Sequence, residues 1–163
     1  MQTEPKIVDR PARPYVAVRR EVMIPFDGVI PEVMSTLFAE VNEQGLEPSG
    51  PVFFKYNFIN MPDLEIDFGV PVAAPVEASG ELVAGVLPAG RYVELVHFGH
   101  YDELMGITGE LIWWAREQGI RWDAIETPDG DTFVSRLESY PNGPEEEPDP
   151  SKWQTIIEIK IRD

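Results

Sequence analysis

The hydrophobic pattern divides the chain into two similar halves. In the first half, apolar runs and alternation predict three strands, over 15–24, 52–58 and 64–72. Apolar residues at helical spacing predict one helix over 31–44, which begins at a proline and ends at Gly45. The first half is therefore expected to be a β-α-β-β unit.

The second half repeats this order roughly 75 residues later. Its predicted elements are strands over 92–98, 132–140 and 153–161 and a helix over 101–118. The segment 73–85 between the halves is rich in small residues and is expected to be a connector with a short edge strand. One repeat thus spans about 14–72 and the other about 86–162.

These elements predict a single α+β domain over 1–163 with pseudo-twofold symmetry. A single β-α-β-β unit leaves one face of its sheet uncovered, and pairing the two halves buries that face. We therefore expect antiparallel sheets with two long helices packed on one side. A central ligand groove is expected where the halves meet.

The charge balance narrows the classes of partner. Thirteen Lys and Arg against 29 Asp and Glu give a formal net charge of −16. A protein that binds duplex DNA needs a basic surface, and this chain has none overall, so we expect no direct nucleic-acid binding. The only basic concentration, Arg10, Arg13, Arg19 and Arg20, lies among acidic neighbours. An acidic surface attracts cations, or simply maintains solubility.

Targeting signals and cysteine are both absent from the sequence. No apolar run is long enough to span a membrane, and the polar, proline-rich N-terminus has no signal-peptide pattern. The chain has no cysteine, which excludes disulfides and thiolate metal sites. We therefore expect a cytoplasmic protein.

Glu138 is the main candidate for chemistry. Strict alternation along its strand places it on the same face as Val134, Arg136 and Tyr140, and opposite Phe133. If this face lines the groove, a carboxylate among aromatic side chains is partly desolvated, and it then binds a cation or holds a proton. The alternative is a glutamate that faces solvent or pairs with Arg136.

Aromatic residues form the second candidate set. They lie on the second predicted helix or on and beside strands: Trp113, Trp114, Tyr56, Phe58, Tyr92 and Tyr101. Helical spacing puts Trp114 rather than Trp113 on the stripe that faces the sheet. Rings around one carboxylate suit flat, cationic or hydrophobic ligands through stacking and cation–π contacts, although each ring could equally be part of the core.

Metal and cofactor chemistry has little support in the sequence. His97 and His100 flank Gly99, but a metal would need a third ligand, so a hydrogen-bonding role at this strand-to-helix corner is favoured. The acidic loop 142–151 does not have the spacing of a known calcium loop. No phosphate-binding loop or nucleophile elbow is present. We expect no metal and no cofactor.

Several short motifs resemble those of the GyrI-like small-molecule-binding domain family. They are Pro-Ala-Gly-Arg-Tyr over 88–92, His-x-Gly-x-Tyr-Asp-x-Leu over 97–104, Glu138-Ser139-Tyr140, the acidic loop and Trp153 to Ile159. The first half resembles the family more weakly, chiefly through Phe54-Lys55-Tyr56 and Asp67-Phe68-Gly69-Val70-Pro71-Val72. This family also supplies the effector-binding domain of some AraC- and MerR-type regulators. No helix-turn-helix pattern precedes these motifs, so the stand-alone form is expected.

The resemblance implies that Glu138 lies in the ligand pocket. The leading hypothesis is then a protein that binds hydrophobic or cationic small molecules, with Glu138 as polar anchor, and sequesters or senses toxic compounds. A second hypothesis is a hydrolase of cyclopropanoid alkylating compounds, in which Glu138 activates water between Trp113, Trp114 and Tyr140. A third is docking on a protein partner, as the gyrase inhibitor that names the family would suggest. The sequence predicts no particular oligomeric state.

Overall fold

Two long helices cover one face of a single antiparallel sheet in the computed structural model, which describes residues 1–163. The strands are β1 (Lys6–Arg10), β2 (Arg13–Met23), β3 (Phe53–Asn60), β4 (Asp63–Pro71), β5 (Leu82–Leu87), β6 (Gly90–Phe98), β7 (Ala124–Thr127), β8 (Gly130–Phe133), β9 (Arg136–Ser139) and β10 (Gln154–Lys160). The helices are α1 (Ile30–Glu43) and α2 (Leu104–Glu117), with 3-10 turns at Asp27–Val29, Tyr101–Glu103 and Pro150–Lys152. Neither helix is long and apolar enough to cross a membrane.

The strand order of the sheet is pseudosymmetric, because β6, β10 and β9 of the second half take the places that β2, β4 and β3 of the first half take from the other edge. Hydrogen bonding links β1-β6-β10-β9-β3-β4-β2-β5, and the β7–β8 hairpin is attached beside β3. The pairing of β3 with β9 joins the two halves, so the sheets expected from the sequence are one continuous sheet. The strand that leads each half lies at the edge of the other half, since β1 pairs with β6 and β5 pairs with β2.

Each helix packs over its own hydrophobic core. Val33, Leu37 and Val41 of α1 pack against β2, β3 and β4, and Leu37 is fully buried. The equivalent stripe of α2 packs against β6 and β10. Burial of one leucine side chain is worth about 1.5–3 kcal/mol, so these stripes hold the helices on the sheet. The α+β architecture with both helices on one side is confirmed.

The predicted strand over 132–140 is the main local error. It is two strands, because the chain breaks pairing at Val134 and Ser135 between β8 and β9. The break changes the phase of the alternation. Phe133, predicted to face away from Arg136, belongs to the core under α2, and the Arg136 guanidinium lies 4.8 Å from its ring centroid.

The opposite face of the sheet carries ion pairs in which partly exposed arginines meet buried carboxylates. Arg10 donates to Glu158 at 2.8 Å and also pairs with Glu94, and Arg13 lies 3.2 Å from Glu158. Nearer the other edge, Arg19 donates to Asp67 at 2.8 Å, and Asp67 is fully buried. The arginines near the start of the chain are therefore already neutralised within the fold.

Candidate functional site

Glu138 lies at the centre of the helix-covered face. Its cross-strand neighbours are Phe54 on β3 and Ile157 on β10. Phe54 belongs to the core under α1, and Ile157 belongs to the core under α2. Since directly paired residues share a face of the sheet, Glu138 lies on the sheet floor between the two cores.

Two tyrosines hold the Glu138 carboxylate. The hydroxyl of Tyr56 donates to Oε1 at 2.6 Å, and the hydroxyl of Tyr140 donates to the same oxygen at 2.7 Å. Such bonds to an ionised acceptor are short and strong. No Lys, Arg or His nitrogen lies within 4.0 Å of the half-buried carboxylate, so its charge has hydroxyl partners and no cation.

Burial keeps the hydroxyl groups of Tyr56 and Tyr140 protonated. Desolvation raises the pKa of Tyr56 and of Tyr140 well above the ordinary tyrosine value, and the Glu138 charge raises both pKa values further. Both groups therefore remain neutral donors at physiological pH. The two hydroxyls hold the Glu138 carboxylate in position, and no positively charged side chain forms an ion pair with it.

Aromatic rings extend from Tyr140 along the site. The Tyr140 ring makes edge contacts with Phe54 at 4.8 Å and Tyr101 at 5.6 Å between centroids. Tyr101 in turn stacks on Trp153 at 4.8 Å. These contacts form a chain of aromatic rings that starts beside the carboxylate, and aromatic rings of this kind can contact other rings and cations.

Arg136 precedes Glu138 by two residues but does not form an ion pair with it. Its guanidinium lies over the rings of Phe133 and Tyr56, 4.8 and 5.9 Å from their centroids. Burial lowers the pKa of Arg136, and the neighbouring Glu138 charge partly offsets this. The pairing that the sequence offered as an alternative role for Glu138 is not what the structure contains.

A family model decides the identity of the domain. The model of the GyrI-like small molecule binding domain matches residues 3–162. The chain belongs to the GyrI-like family. No curated protein sequence matches the chain significantly.

Solved structures share the fold of this GyrI-like domain. The C-terminal domain of EcmrR superimposes with a TM-score of 0.77 at 20% identity, covering 98% of each chain. In the EcmrR–DNA complex the TM-score is 0.72, again at 20% identity over 98% of this chain, which spans only 57% of that longer chain.

Two further neighbours are more distant in sequence. SAV2435 bound to tetraphenylphosphonium matches with a TM-score of 0.64 at 10% identity, covering 98% of this chain and 94% of its own. A hydrolase encoded by lin2189 from Listeria innocua matches with a TM-score of 0.63 at 12% identity, covering 98% and 92%. These likenesses are in fold.

The GyrI-like fold brings only some of the predicted aromatic residues to Glu138. Tyr56, Tyr140 and Tyr101 belong to its cluster of contacts. Trp114 is half-buried and packs against the core under α2, whereas Trp113 is 60% exposed on the outer side of that helix.

Tyr92 and Phe58 lie away from Glu138. Tyr92 is on the opposite face of the sheet, where its hydroxyl donates to the Pro88 carbonyl at 2.7 Å. A β-bulge between Tyr56 and Phe58 turns the Phe58 side chain away from the tyrosine, and its ring lies against Gly130. Local alternation could not reveal either placement.

Two aromatic residues of the cluster were missed. Phe54 is buried next to Tyr140, and Trp153 is buried under Tyr101. Trp153 opens the stretch to Ile159 that carries part of the family resemblance, and this signal could have found it. Phe54 could have been found from its place two residues before Tyr56 on one strand.

The histidine corner makes hydrogen bonds. Buried His97 lies 3.2 Å from a Glu103 carboxylate oxygen through Nε2, and His100 Nδ1 accepts from the backbone N–H of Asp102 at 3.1 Å. Gly99 between them has a φ of 149°. This is the role that the sequence favoured for the two histidines.

Proposed function

We propose that this GyrI-like domain binds small hydrophobic or cationic molecules beside Glu138, and that it sequesters or senses toxic compounds in this way. The observation that carries the proposal is the half-buried Glu138 carboxylate, which has two tyrosine hydroxyls as partners and no cation within 4.0 Å. A partly desolvated carboxylate without a counter-charge gains most from a ligand that brings one.

The neighbouring groups favour an aromatic cation. Both tyrosine hydrogen bonds end on Oε1, so Oε2 is left to face a ligand. Tyr140, whose hydroxyl binds the carboxylate, makes an edge contact with the Tyr101 ring, so aromatic side chains lie near the carboxylate. A positive charge can then meet the carboxylate while the ligand's apolar body contacts the rings. The bound tetraphenylphosphonium of SAV2435, a structural neighbour, is a compound of this class.

Tetraphenylphosphonium and the uncharged triphenylphosphine oxide form a matched pair of ligands for testing this proposal. Isothermal titration of the wild type should show tighter binding of the cation. Glu138→Gln keeps the shape of the side chain and removes its charge, so we expect about tenfold weaker binding of the cation, equivalent to about 1.4 kcal/mol. Binding of the neutral compound should change less than twofold.

Glu43→Gln, at the exposed end of α1, is the control with the same change in net charge. It should leave both affinities unchanged. Equal affinity of wild type and Glu138→Gln for tetraphenylphosphonium would remove the anchor role.

The hydrolase hypothesis uses the same carboxylate. With Oε1 held by two hydroxyls, Oε2 could orient a water against a strained ring, and the lin2189 hydrolase shares the fold. The same variant separates the two functions when a cyclopropane-bearing alkylating compound is incubated with the protein. Ring-opened product that depends on Glu138 supports catalysis, whereas binding without product supports sequestration.

A further inference from the structure

Arginines of this chain fall into two groups by their partners. Those near the start of the chain each lie within 4.0 Å of a carboxylate: Arg10, Arg13, Arg19 and Arg20. The others have no carboxylate within that distance: Arg91, Arg116, Arg121, Arg136 and Arg162. In a chain with 29 acidic residues, a whole group of unpaired guanidinium groups needs an explanation.

The unpaired arginines converge on one part of the surface. An open cavity of about 850 Å³ lies between the end of α2, the loop that follows it and the β7–β8 hairpin. Four of the five line this cavity, namely Arg116, Arg121, Arg136 and Arg162. Arg91 lines a smaller cavity of about 440 Å³ that shares Arg121 and Arg162 with the first. These residues come from separate elements, so the fold and not a basic run in the sequence assembles the group.

Local acidic groups and the helix do not account for this charge. Glu126 and Asp131 also line the cavity, and the Asp131 charge acts on Arg136 through space, but neither carboxylate comes within 4.0 Å of an arginine nitrogen. Arg116 lies in the last turn of α2, where a positive charge complements the helix dipole. That role explains Arg116, and Arg162 donates to the Ala124 carbonyl, which leaves Arg121 and Arg136.

Arg136 lies at the buried end of the cavity. Its guanidinium rests on the rings of Phe133 and Tyr56 and donates no hydrogen bond to a protein acceptor. Guanidinium groups have five N–H donors in a planar fork that fits carboxylate, sulfonate and phosphate oxygens. A half-buried arginine whose fork has no protein acceptor is a ready partner for such a group.

Apolar side chains form a large part of the remaining wall. Ile120, Trp122 and Phe133 line the same cavity, and its volume falls in the range of small-molecule sites. We infer that this cavity binds a small amphipathic anion, whose acidic head group meets the arginines while its apolar body contacts these side chains. This ligand class differs from the hydrophobic or cationic ligands proposed for Glu138, and the inference does not depend on that function.

Two fluorescent probes with nearly the same apolar body test the inference. The first, 8-anilinonaphthalene-1-sulfonate, carries an anionic head, and N-phenyl-1-naphthylamine lacks it. Despite the net charge of −16, we expect the wild type to bind the sulfonate more tightly than the neutral probe. The double variant Arg116→Gln/Arg121→Gln, at two exposed positions, should lose about tenfold in affinity for the sulfonate and less than twofold for the neutral probe.

Arg20→Gln/Lys152→Gln is the matched control, because it removes two positive charges outside the cavity. It should leave both affinities within twofold of the wild type. The inference is overturned if the control loses as much sulfonate affinity as the cavity variant, since bulk charge then explains binding. It is also overturned if the wild type does not prefer the sulfonate.

Glu138→Gln distinguishes the proposed cation site beside Glu138 from the anion site in the arginine-lined cavity. This variant removes a negative charge near Arg136, so it should lose no affinity for the sulfonate while it loses affinity for tetraphenylphosphonium. The double arginine variant should do the reverse. Failure of either proposal therefore leaves a clear result for the other, and a parallel loss in both variants would contradict the separate anion site.

Discussion

Tyrosine hydroxyls link the candidate site to the stability of the fold. Burial raises the pKa of Tyr56 and Tyr140, and burial together with the Asp67 charge raises the pKa of Tyr15 to about 12. In the unfolded chain tyrosine ionises near pH 10. The folded protein thus holds these protons more tightly, so their stabilising contribution is complete below about pH 10 and is lost as the pH rises above it.

We therefore expect the free energy of unfolding to fall steeply above about pH 10. Urea unfolding between pH 8 and pH 11.5, followed by fluorescence, measures this fall. Tyr140→Phe removes one of the groups with a raised pKa, and its free energy of unfolding should fall less steeply over the same range. Phenolate absorbance gives an independent check. Full ionisation of the native protein near pH 10, without loss of stability, would contradict the expectation.

Alternation along a strand was sufficient to link Glu138 with Tyr140, because both lie on one short segment. It could not show that Phe54 is the cross-strand neighbour of Glu138, and it could not separate Tyr92 from the site. Those relations depend on which strands pair and on which face receives the helices, and both are set by contacts far apart in sequence.

At the scale of elements, the corner between β6 and α2 depends on one residue. Gly99 has a φ of 149°, a backbone angle that residues other than glycine rarely adopt. A Cβ at this position would lie 3.0 Å from His97 Nε2 and against the Glu103 carboxylate. The contact between His97 and Glu103 therefore occupies the space that a side chain at position 99 would need.

Gly99→Ala should destabilise the protein by about 1–3 kcal/mol, because it adds backbone strain and displaces the His97 contact. Gly109→Ala is the matched control, since a Cβ at this helical position meets nothing within 4 Å. It should stabilise the protein by about 0.5–1 kcal/mol through helix propensity. Urea unfolding of both variants measures these effects, and a neutral Gly99→Ala would show that the corner is not strained.

Elements were predictable where their signals are local. Both helices carry apolar stripes at helical spacing, and Gly45 and Gly119 follow them. The break between β8 and β9 has no such signal, since Val134 and Ser135 are ordinary strand residues. Strand β1 was missed because it is short and is stabilised by β6, which follows 80 residues later in the chain.

At the scale of the whole molecule, the two halves are interlocked. Each half supplies an edge strand to the other, and the β3–β9 pairing runs through the centre of the sheet. The ion pairs of Arg10 with Glu94 and Glu158 further tie the start of the chain to its last strand. Neither half can leave the sheet without breaking pairs that belong to the other, so the domain is expected to unfold as one cooperative unit.

The distribution of tryptophan makes this cooperativity measurable. All four tryptophans lie in the second half: Trp113, Trp114, Trp122 and Trp153. Their fluorescence therefore reports on the second half alone, whereas far-UV circular dichroism reports on both helices. Leu37→Ala opens a cavity in the core under α1, far from these reporters in sequence, and should cost about 2–5 kcal/mol.

We expect Leu37→Ala to shift the urea midpoint measured by tryptophan fluorescence as far as the midpoint measured by circular dichroism. Leu111→Ala, at a buried position of the core under α2, is the matched variant and should also shift both signals together. A fluorescence midpoint that stays at the wild-type value in Leu37→Ala, while the dichroism curve becomes biphasic, would mean that the halves unfold separately. The exchanged edge strands and the central pairing would then contribute too little free energy to couple the two halves.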